Sequence, residues 1–414
     1  MFFSLLRNFL ATRFPVLYQV LRCIKNSRRK QVLPDVKREV VYCADSSGIP
    51  RVNLVLPPTG SSNVFGGVAT AFAVLGGLID SSVRVRVLFE SKCPSVSDVK
   101  SMLANYAGDI NILSLEVSLI NGEKAVPFEP VDRFIVTSWR TAYILQQIYD
   151  DNKGKRGCHN FPLVYLAQDY EPGFFSWSSE FALAMSTYQW TGHMIYLFNS
   201  EELSKYFARQ HEFKHKSYVF PPVLNKALQD EITAQEEFIG KRKKRVVVYG
   251  RPSTSRNAFS LCLSALTLWA KEYPGAANWE VVSVGESHPE YSLAAGVRIR
   301  SLGKLSLGEY AELMLGSSVG LSLMISPHPS YPPLEMAVCG MNVLTNDFGT
   351  KSWSGRAPNI WSVGNLRPGE ISRKLSEVCD KSEGIESANV NFDLMAKSGI
   401  FDKVIEHVKE DLEL

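Results

Sequence analysis

The 414-residue chain predicts an α/β protein of two Rossmann-like, doubly wound domains in tandem. Three observations predict it. From residue 51 onward, short β-branched runs alternate with longer helix-compatible stretches, the pattern of parallel strands joined by crossover helices. Pro221 and Pro222 break that alternation near the middle of the chain. The length also suits two cores, at roughly 150 residues per domain.

The elements follow in order. Residues 1–34 mix Phe, Leu and Val with Arg7, Arg13, Arg22, Lys25, Arg28, Arg29 and Lys30 and contain no acidic residue, so they predict a basic amphipathic helix. Docking on an anionic membrane surface and packing on the helix's own domain both remain open. Residues 40–220 form the first domain, with strands expected at 52–57, 83–90, 133–138, 163–168 and 194–199. YVFPPVL and the polar stretch NKALQDEITAQEEFIGKRKK read as the interdomain crossing. Residues 225–398 form the second domain, with strands expected at 245–250, 279–285, 297–303, 319–325, 342–346 and 359–364. Residues 399–414 are a terminal helix. Ligands of such sheets collect at the carboxyl ends of the strands, so two facing domains predict an interdomain cleft.

Composition excludes several classes. At 45% hydrophobic and 21% charged, with no run of 18 apolar residues, the chain reads as globular, without a membrane span. Seven scattered cysteines without metal-ligand spacing point to free thiols in a reducing cytoplasm and to no structural zinc. Past residue 34 the only dense basic run is KRKKR at 241–245, which predicts a solvated patch and no nucleic-acid partner. There is no DxD pair of the kind that holds a divalent ion on a diphosphate, so no metal and no cofactor are expected.

The most informative stretch is SLMISPHPSYPPLEMAVCGMNVLTND, residues 322–347: a buried strand, a Pro-rich loop, a helix opening at Pro332 and Pro333, and another strand. Glu335 falls in the expected first helical turn, where an acid complements the helix dipole. YPPLEMAVCGMNVL also resembles the second half of the paired-glutamate segment of family 4 and related retaining GT-B glycosyltransferases. The resemblance implies the GT-B fold and puts Glu335 at the glutamate that binds the nucleotide ribose. The first glutamate of that pair is replaced by Pro327, so donor-sugar recognition must differ, with His328 and Tyr331 as candidates. The form SPHPSYPPLEM is similar to bacterial rhamnosyltransferases of surface-layer and rhamnan glycans, which implies dTDP-L-rhamnose as donor.

A second match is the strand VVVYG leading into Arg251 and PSTSRNAF, similar to the family's Arg-and-Lys turn, with Arg256 in place of Lys. Two arginines beside a helix start at residue 257 suit the charge that builds on a departing nucleoside diphosphate. A solvated surface turn is the plainer alternative. Lys304, after Gly303, is a third candidate cation. In the first domain Gly66 and Gly67 resemble the paired glycines of GT-B folds, whose bare backbone approaches the donor diphosphate. LAQDYEPGFFSWSSEFALAMSTYQW carries Asp169 and Glu171 at a strand end as acid/base or hydroxyl-orienting groups, with Tyr170 and Trp177 offering faces to sugar rings. Trp139 and Arg140, after the preceding strand, are further acceptor candidates; a capped loop over an aromatic core is the bland alternative.

Together these imply a metal-independent, retaining glycosyltransferase taking a nucleotide-sugar donor and an oligosaccharide or lipid-linked acceptor. It would act in the cytoplasm, with the basic extension able to reach the inner face of the plasma membrane. Arg251 and Arg256 act on the leaving group, and the terminal helix returns to the first domain, as GT-B folds imply. A nucleotide-sugar epimerase and a noncatalytic glycan-binding protein are the alternatives.

Overall fold

The computed structural model describes residues 41–42, 48–57, 66–107, 112–120, 126–153, 161–236, 241–353, 355–384, 387, 389–395 and 399–414. The basic extension and loop residues 59–65 lie outside them. The described chain divides into two compact units, one ending at Pro221 and including Lys397–Leu414, the other running Pro222–Ala396. No described helix is long and apolar enough to cross a membrane.

The first unit holds β1 (Val41–Tyr42), β2 (Arg51–Leu56), β3 (Arg84–Phe89), β4 (Ser114–Leu119), β5 (Pro127–Phe128), β6 (Asp132–Val136), β7 (Leu163–Ala167), β8 (Met194–Phe198) and β9 (Lys216–Val219). Its main sheet is parallel, in the order β4-β3-β2-β6-β7-β8-β9, while β1 pairs with β5 alone. Strand order reverses between β2 and β6. Such a reversal opens a crevice beyond the carboxyl ends, because the connecting helices leave for opposite faces. Val52, Leu54 and Leu56 face the helices Gly66–Leu78 and Gly399–Leu412, while Val55 belongs to the core over Trp139–Asp151. The terminal helix is seated by Ile405, which a Cβ on Gly77 would meet at 2.9 Å, and by Arg133 donating to the Leu412 carbonyl at 2.8 Å. Asp411 accepts from Lys216 at 2.5 Å and Tyr218 at 2.9 Å.

A buried polar network crosses the amino-terminal half of this sheet. Arg51 donates twice to Asp132, at 2.6 and 2.9 Å, and Arg86 donates to Asn53 at 2.6 Å and to Asp132 at 3.3 Å. Burial alone would push the Asp132 carboxyl up, but Arg51 and Arg86 outweigh it and hold it below the usual range.

The second unit holds β10 (Lys243–Gly250), β11 (Glu280–Gly285), β12 (Tyr291–Ser292), β13 (Arg298–Gly303), β14 (Ser317–Leu321), β15 (Asn342–Asn346) and β16 (Ile360–Val363). The order is β12-β13-β11-β10-β14-β15-β16, parallel except for β12. Here the reversal lies between β10 and β14. Val246 and Val248 pack under the helices Phe259–Glu272 and Pro368–Ser382; Val247 turns to the other face with Lys226–Gln235, Leu307–Leu315 and Tyr331–Val338.

Four expectations need correction. The stretch 319–325 stops being a strand at Leu321, because Asn346 and Lys351 take the main-chain groups of Met324: Met324 N donates to Asn346 Oδ1 at 2.7 Å, and Lys351 Nζ donates to Met324 O at 2.7 Å. The basic run 241–245 is not simply solvated. Arg242 is buried, donating to the Cys339 and Gly340 carbonyls that close the helix Tyr331–Val338, and Arg245 pairs with Glu280 at 2.6 Å. The helix expected from residue 257 begins at Phe259, after a 3₁₀ turn at Ser255–Asn257 and Ala258 at φ 47°. Glu335 lies beyond the first turn of its helix, which starts at Tyr331, so dipole complementation does not account for it.

Candidate functional site

Three neighbouring strands of the second unit, β10, β11 and β13, each end in glycine: Gly250, Gly285 and Gly303. Gly285 has φ 114°, and a Cβ there would stand 3.1 Å from Arg251 Cγ and 3.3 Å from the Tyr249 ring. Removing side chains from this edge lets Arg251 lie against the backbone. Arg251 hydrogen-bonds the Tyr249 hydroxyl, and Arg256 and Glu335 both act electrostatically on the same phenol, whose pKa is raised chiefly by burial. The two predicted arginines and Glu335 therefore converge on one tyrosine beside the switch point.

Glu335 is half-buried and accepts a hydrogen bond from the Tyr310 hydroxyl at 3.2 Å. Burial pushes its carboxyl up to about 7, with the Tyr310 bond pulling the other way. Arg242, by holding the carbonyls at the far end of the helix, fixes where Glu335 stands.

The Pro-rich loop is tied to the arginine turn by Ile325 N donating to Arg256 O at 2.7 Å. Ser330, which precedes the helix, holds φ 72° and ψ 146°, a conformation that costs a non-glycine residue about 1–3 kcal/mol and persists only where the surroundings enforce it. What enforces it is partly His328, whose Nδ1 accepts the Ser330 N–H at 3.0 Å, while His328 N donates to Ser326 Oγ at 3.0 Å. His328 is 4% exposed and stands 5.8 Å, ring to ring, from Tyr331. Its Nε2 is buried without a hydrogen-bond partner. Burial first, then the positive charges of Lys351 and Arg256, push the imidazole down to about 3, so the ring is neutral. Lys304 stands exposed just past Gly303, two strands from β10 in the sheet order.

In the first unit the remaining predicted residues lie past the carboxyl ends of β2, β6 and β7. Gly66 and Gly67 open the helix Gly66–Leu78, and Gln168 donates to the Gly67 carbonyl at 2.9 Å, joining the paired-glycine turn to the QDYEP loop. Asp169 is buried and accepts from Tyr170 N at 2.8 Å; Glu171 is buried and accepts the Trp139 N–H at the start of the helix Trp139–Asp151. Both carboxylates thus hold backbone amides and shape the loop. Arg140 pairs with Glu90 by two donors, with its Nε 2.8 and 2.9 Å from the two carboxylate oxygens, and sits 5.5 Å from the Trp139 ring. Trp139 is buried edge-on against Phe175. Tyr170 lies half-buried among Tyr188, Tyr206 and Phe207, its hydroxyl 3.2 Å from His211 Nε2. Trp177 is the exception: 93% exposed, it stacks flat on Phe181 at 5.8 Å.

Sequence reasoning missed Tyr249, Tyr310, Lys351 and Glu90. Tyr249 lies in β10 two residues before Arg251 and was findable by position; Lys351 and Tyr310 carry no local signal, because only folding brings them to the loop and to Glu335. Among the described residues no cluster of His, Cys, Asp or Glu has the makings of a metal site.

Over 88% of its length the chain is similar to OtsA in its apo form, with TM-score 0.56, 11% identity and 99% of that chain covered. The sucrose-phosphate synthase of Thermosynechococcus elongatus matches over the same share, with TM-score 0.54, 11% identity and 96% of its chain covered. Two doubly wound units with the strand orders above define the class: the GT-B fold of glycosyltransferases. Residues 51–201 match the N-terminal domain of WsaF and residues 244–376 match the C-terminal domain of WsaF. These two matches cover more than half of the chain, which belongs to the WsaF family. The O-antigen biosynthesis protein RfbC of Myxococcus xanthus is 34% identical over 226 residues, 54% of this chain but only 16% of that relative.

Proposed function

We propose that the chain transfers a sugar from a nucleoside diphosphate sugar, dTDP-L-rhamnose, to an oligosaccharide or lipid-linked glycan acceptor, without a metal ion and with retention at the anomeric carbon. The observation that carries the proposal is the convergence of Arg251, Arg256 and Glu335 on Tyr249 at the carboxyl edge of β10. Two guanidiniums hold the diphosphate, and because its charge grows as the sugar bond breaks, they favour the transition state over the bound donor. Glu335 accepts from the 3′-hydroxyl of the deoxyribose. Lys304 adds a third charge, and Tyr331 borders the sugar. The acceptor hydroxyl gives its proton to the departing diphosphate, so no separate protein base is invoked.

Support for the rhamnosyl donor is the SPHPSYPPLEM likeness together with membership of the WsaF family. A role in surface glycan assembly is supported by the name of the RfbC relative. Trp177, stacked and exposed, offers an acceptor sugar a face, with Trp139, Arg140 and Tyr170 as further acceptor contacts, while Gly66 and Gly67 leave bare backbone for the donor diphosphate. Free Cys93, Cys262, Cys339 and Cys379 support a reducing, cytoplasmic setting. The test is a thermal-shift panel of dTDP, UDP and GDP and their sugars, followed by turnover with an added oligosaccharide. A ligand at 100 times its Kd stabilises the fold by about 2.7 kcal/mol, so dTDP should stand out. A panel without any shift rejects the proposal.

A further inference from the structure

We infer that His328 is a ligand of the sugar-proximal phosphate of the donor, a neutral hydrogen-bond donor set among fixed cations where a helix start has lost most of its own amides. The inference rests on the donor-site reading above and deepens it. Helix starts bind anions because their first amides point outward without partners. The helix Tyr331–Val338 is poor in them: Pro332 and Pro333 have no N–H, and the Ser330 N–H is spent on His328 Nδ1 at 3.0 Å. That same bond fixes the tautomer. With Nδ1 accepting, the ring proton sits on Nε2, the buried nitrogen that has no partner in the protein.

A buried donor without an acceptor costs stability and is uncommon in native folds, so it calls for an occupant. Such a donor needs an acceptor, and a nucleotide sugar offers it phosphate and hydroxyl oxygens. Lys351, itself 1% exposed and anchored on the Met324 carbonyl, and Arg256 both act on this imidazole, so its surroundings are positive and suit an anionic oxygen better than a sugar hydroxyl. Arg256 is already assigned to the diphosphate. The ring therefore falls at the phosphate nearest the sugar, where the leaving group's charge develops.

Two substitutions separate the ring's nitrogens. His328→Asn keeps an acceptor near Nδ1 for Ser330 and removes the Nε2 donor; His328→Gln puts an amide donor near Nε2 instead. Binding of thymidine, dTMP, dTDP and dTDP-L-rhamnose is measured by calorimetry on the full chain, with melting temperatures for each variant and Arg251→Ala and Arg256→Ala alongside. We expect His328→Asn to weaken dTDP and dTDP-L-rhamnose about tenfold to a hundredfold while sparing thymidine and dTMP, and His328→Gln to recover most of that loss. Loss confined to dTDP-L-rhamnose, with dTDP unchanged, overturns the inference in favour of a sugar contact. Equal loss in His328→Asn and His328→Gln, at matched melting temperature, also overturns it. Arginine variants that bind dTDP like the wild type sink the donor-site reading itself, which is a different failure from arginine variants that lose dTDP beside a His328→Asn that keeps it.

Discussion

Replacing Glu335 by Gln removes a charge whose position has opposite consequences for stability and for binding. The carboxyl ionises at about 7 in the fold, against an ordinary 4.5. A folded-state value raised in this way means that the native protein binds a proton the unfolded chain has released. The contribution is therefore fully present below about pH 4.5 and is lost as pH rises through 7, by up to about 3 kcal/mol, an upper figure because the group is only half-buried. The Gln variant lacks that slope. Urea unfolding from pH 5 to 8 should show the wild type losing stability relative to Glu335→Gln, with the variant the more stable at pH 8. Binding runs the other way. The 3′-hydroxyl of the deoxyribose donates, so it favours the ionised carboxylate, which is about 10% of the population at pH 6 and about 90% at pH 8. Thymidine affinity should rise up to about tenfold across that interval in the wild type and stay flat and weak in Glu335→Gln. A variant with wild-type thymidine affinity at pH 8, whatever its stability, would refute the ribose contact and leave Glu335 a structural acid.

Arg251→Ala and Arg256→Ala should each weaken dTDP about 10 to 100-fold and lower kcat, with thymidine nearly unaffected; calorimetry and initial rates check both. EDTA should leave turnover essentially intact, and a large loss restored by Mn or Mg would reject metal independence. Deleting residues 1–30 should abolish binding to anionic liposomes while sparing turnover on a soluble acceptor, as co-sedimentation would show. Asp132→Ala should cost about 3–5 kcal/mol in urea unfolding, since it strands Arg51 and Arg86 in the core; in the wild type that stability is present above pH 3.8 and fades as pH falls below it.

Much of the fold was legible because parallel strands buried on both faces must be near-continuous apolar runs. VVVYG, EVVSVG and NVLTN could be read that way. Lys216–Val219 was not, because KSYV is short, sits at the sheet edge and borders the prolines that dominate YVFPPVL. Arg51–Leu56 was clipped by one residue, since a buried arginine looks like a strand boundary until Asp132 is placed beside it. Local signals also pointed to Arg251, Arg256 and Glu335, which the fold brings together around Tyr249. They misplaced Glu335 in the first helical turn, and they could not find Lys351 or Tyr310, whose contacts exist only across loops that folding joins.

Pro327, Pro332 and Pro333 give the Pro-rich loop one common physical consequence. Each proline removes a main-chain donor from the stretch between β14 and the start of the helix Tyr331–Val338, and Pro327 stands where the resemblance expected a carboxylate. An anion there must consequently be met by side chains, and side chains need to be held. The holding is visible: Lys351 anchored on Met324 O, the arginine turn bonded to Ile325, and the His328 ring locked against Ser330 in a backbone conformation that no relaxed serine adopts. Strain at Ser330 and an unpartnered Nε2 at His328 are costs borne by one five-residue stretch, and a bound diphosphate would offset the second of them directly. If so, donor binding should stiffen this loop more than any other, and hydrogen exchange of residues 324–331 should slow on adding dTDP but not thymidine.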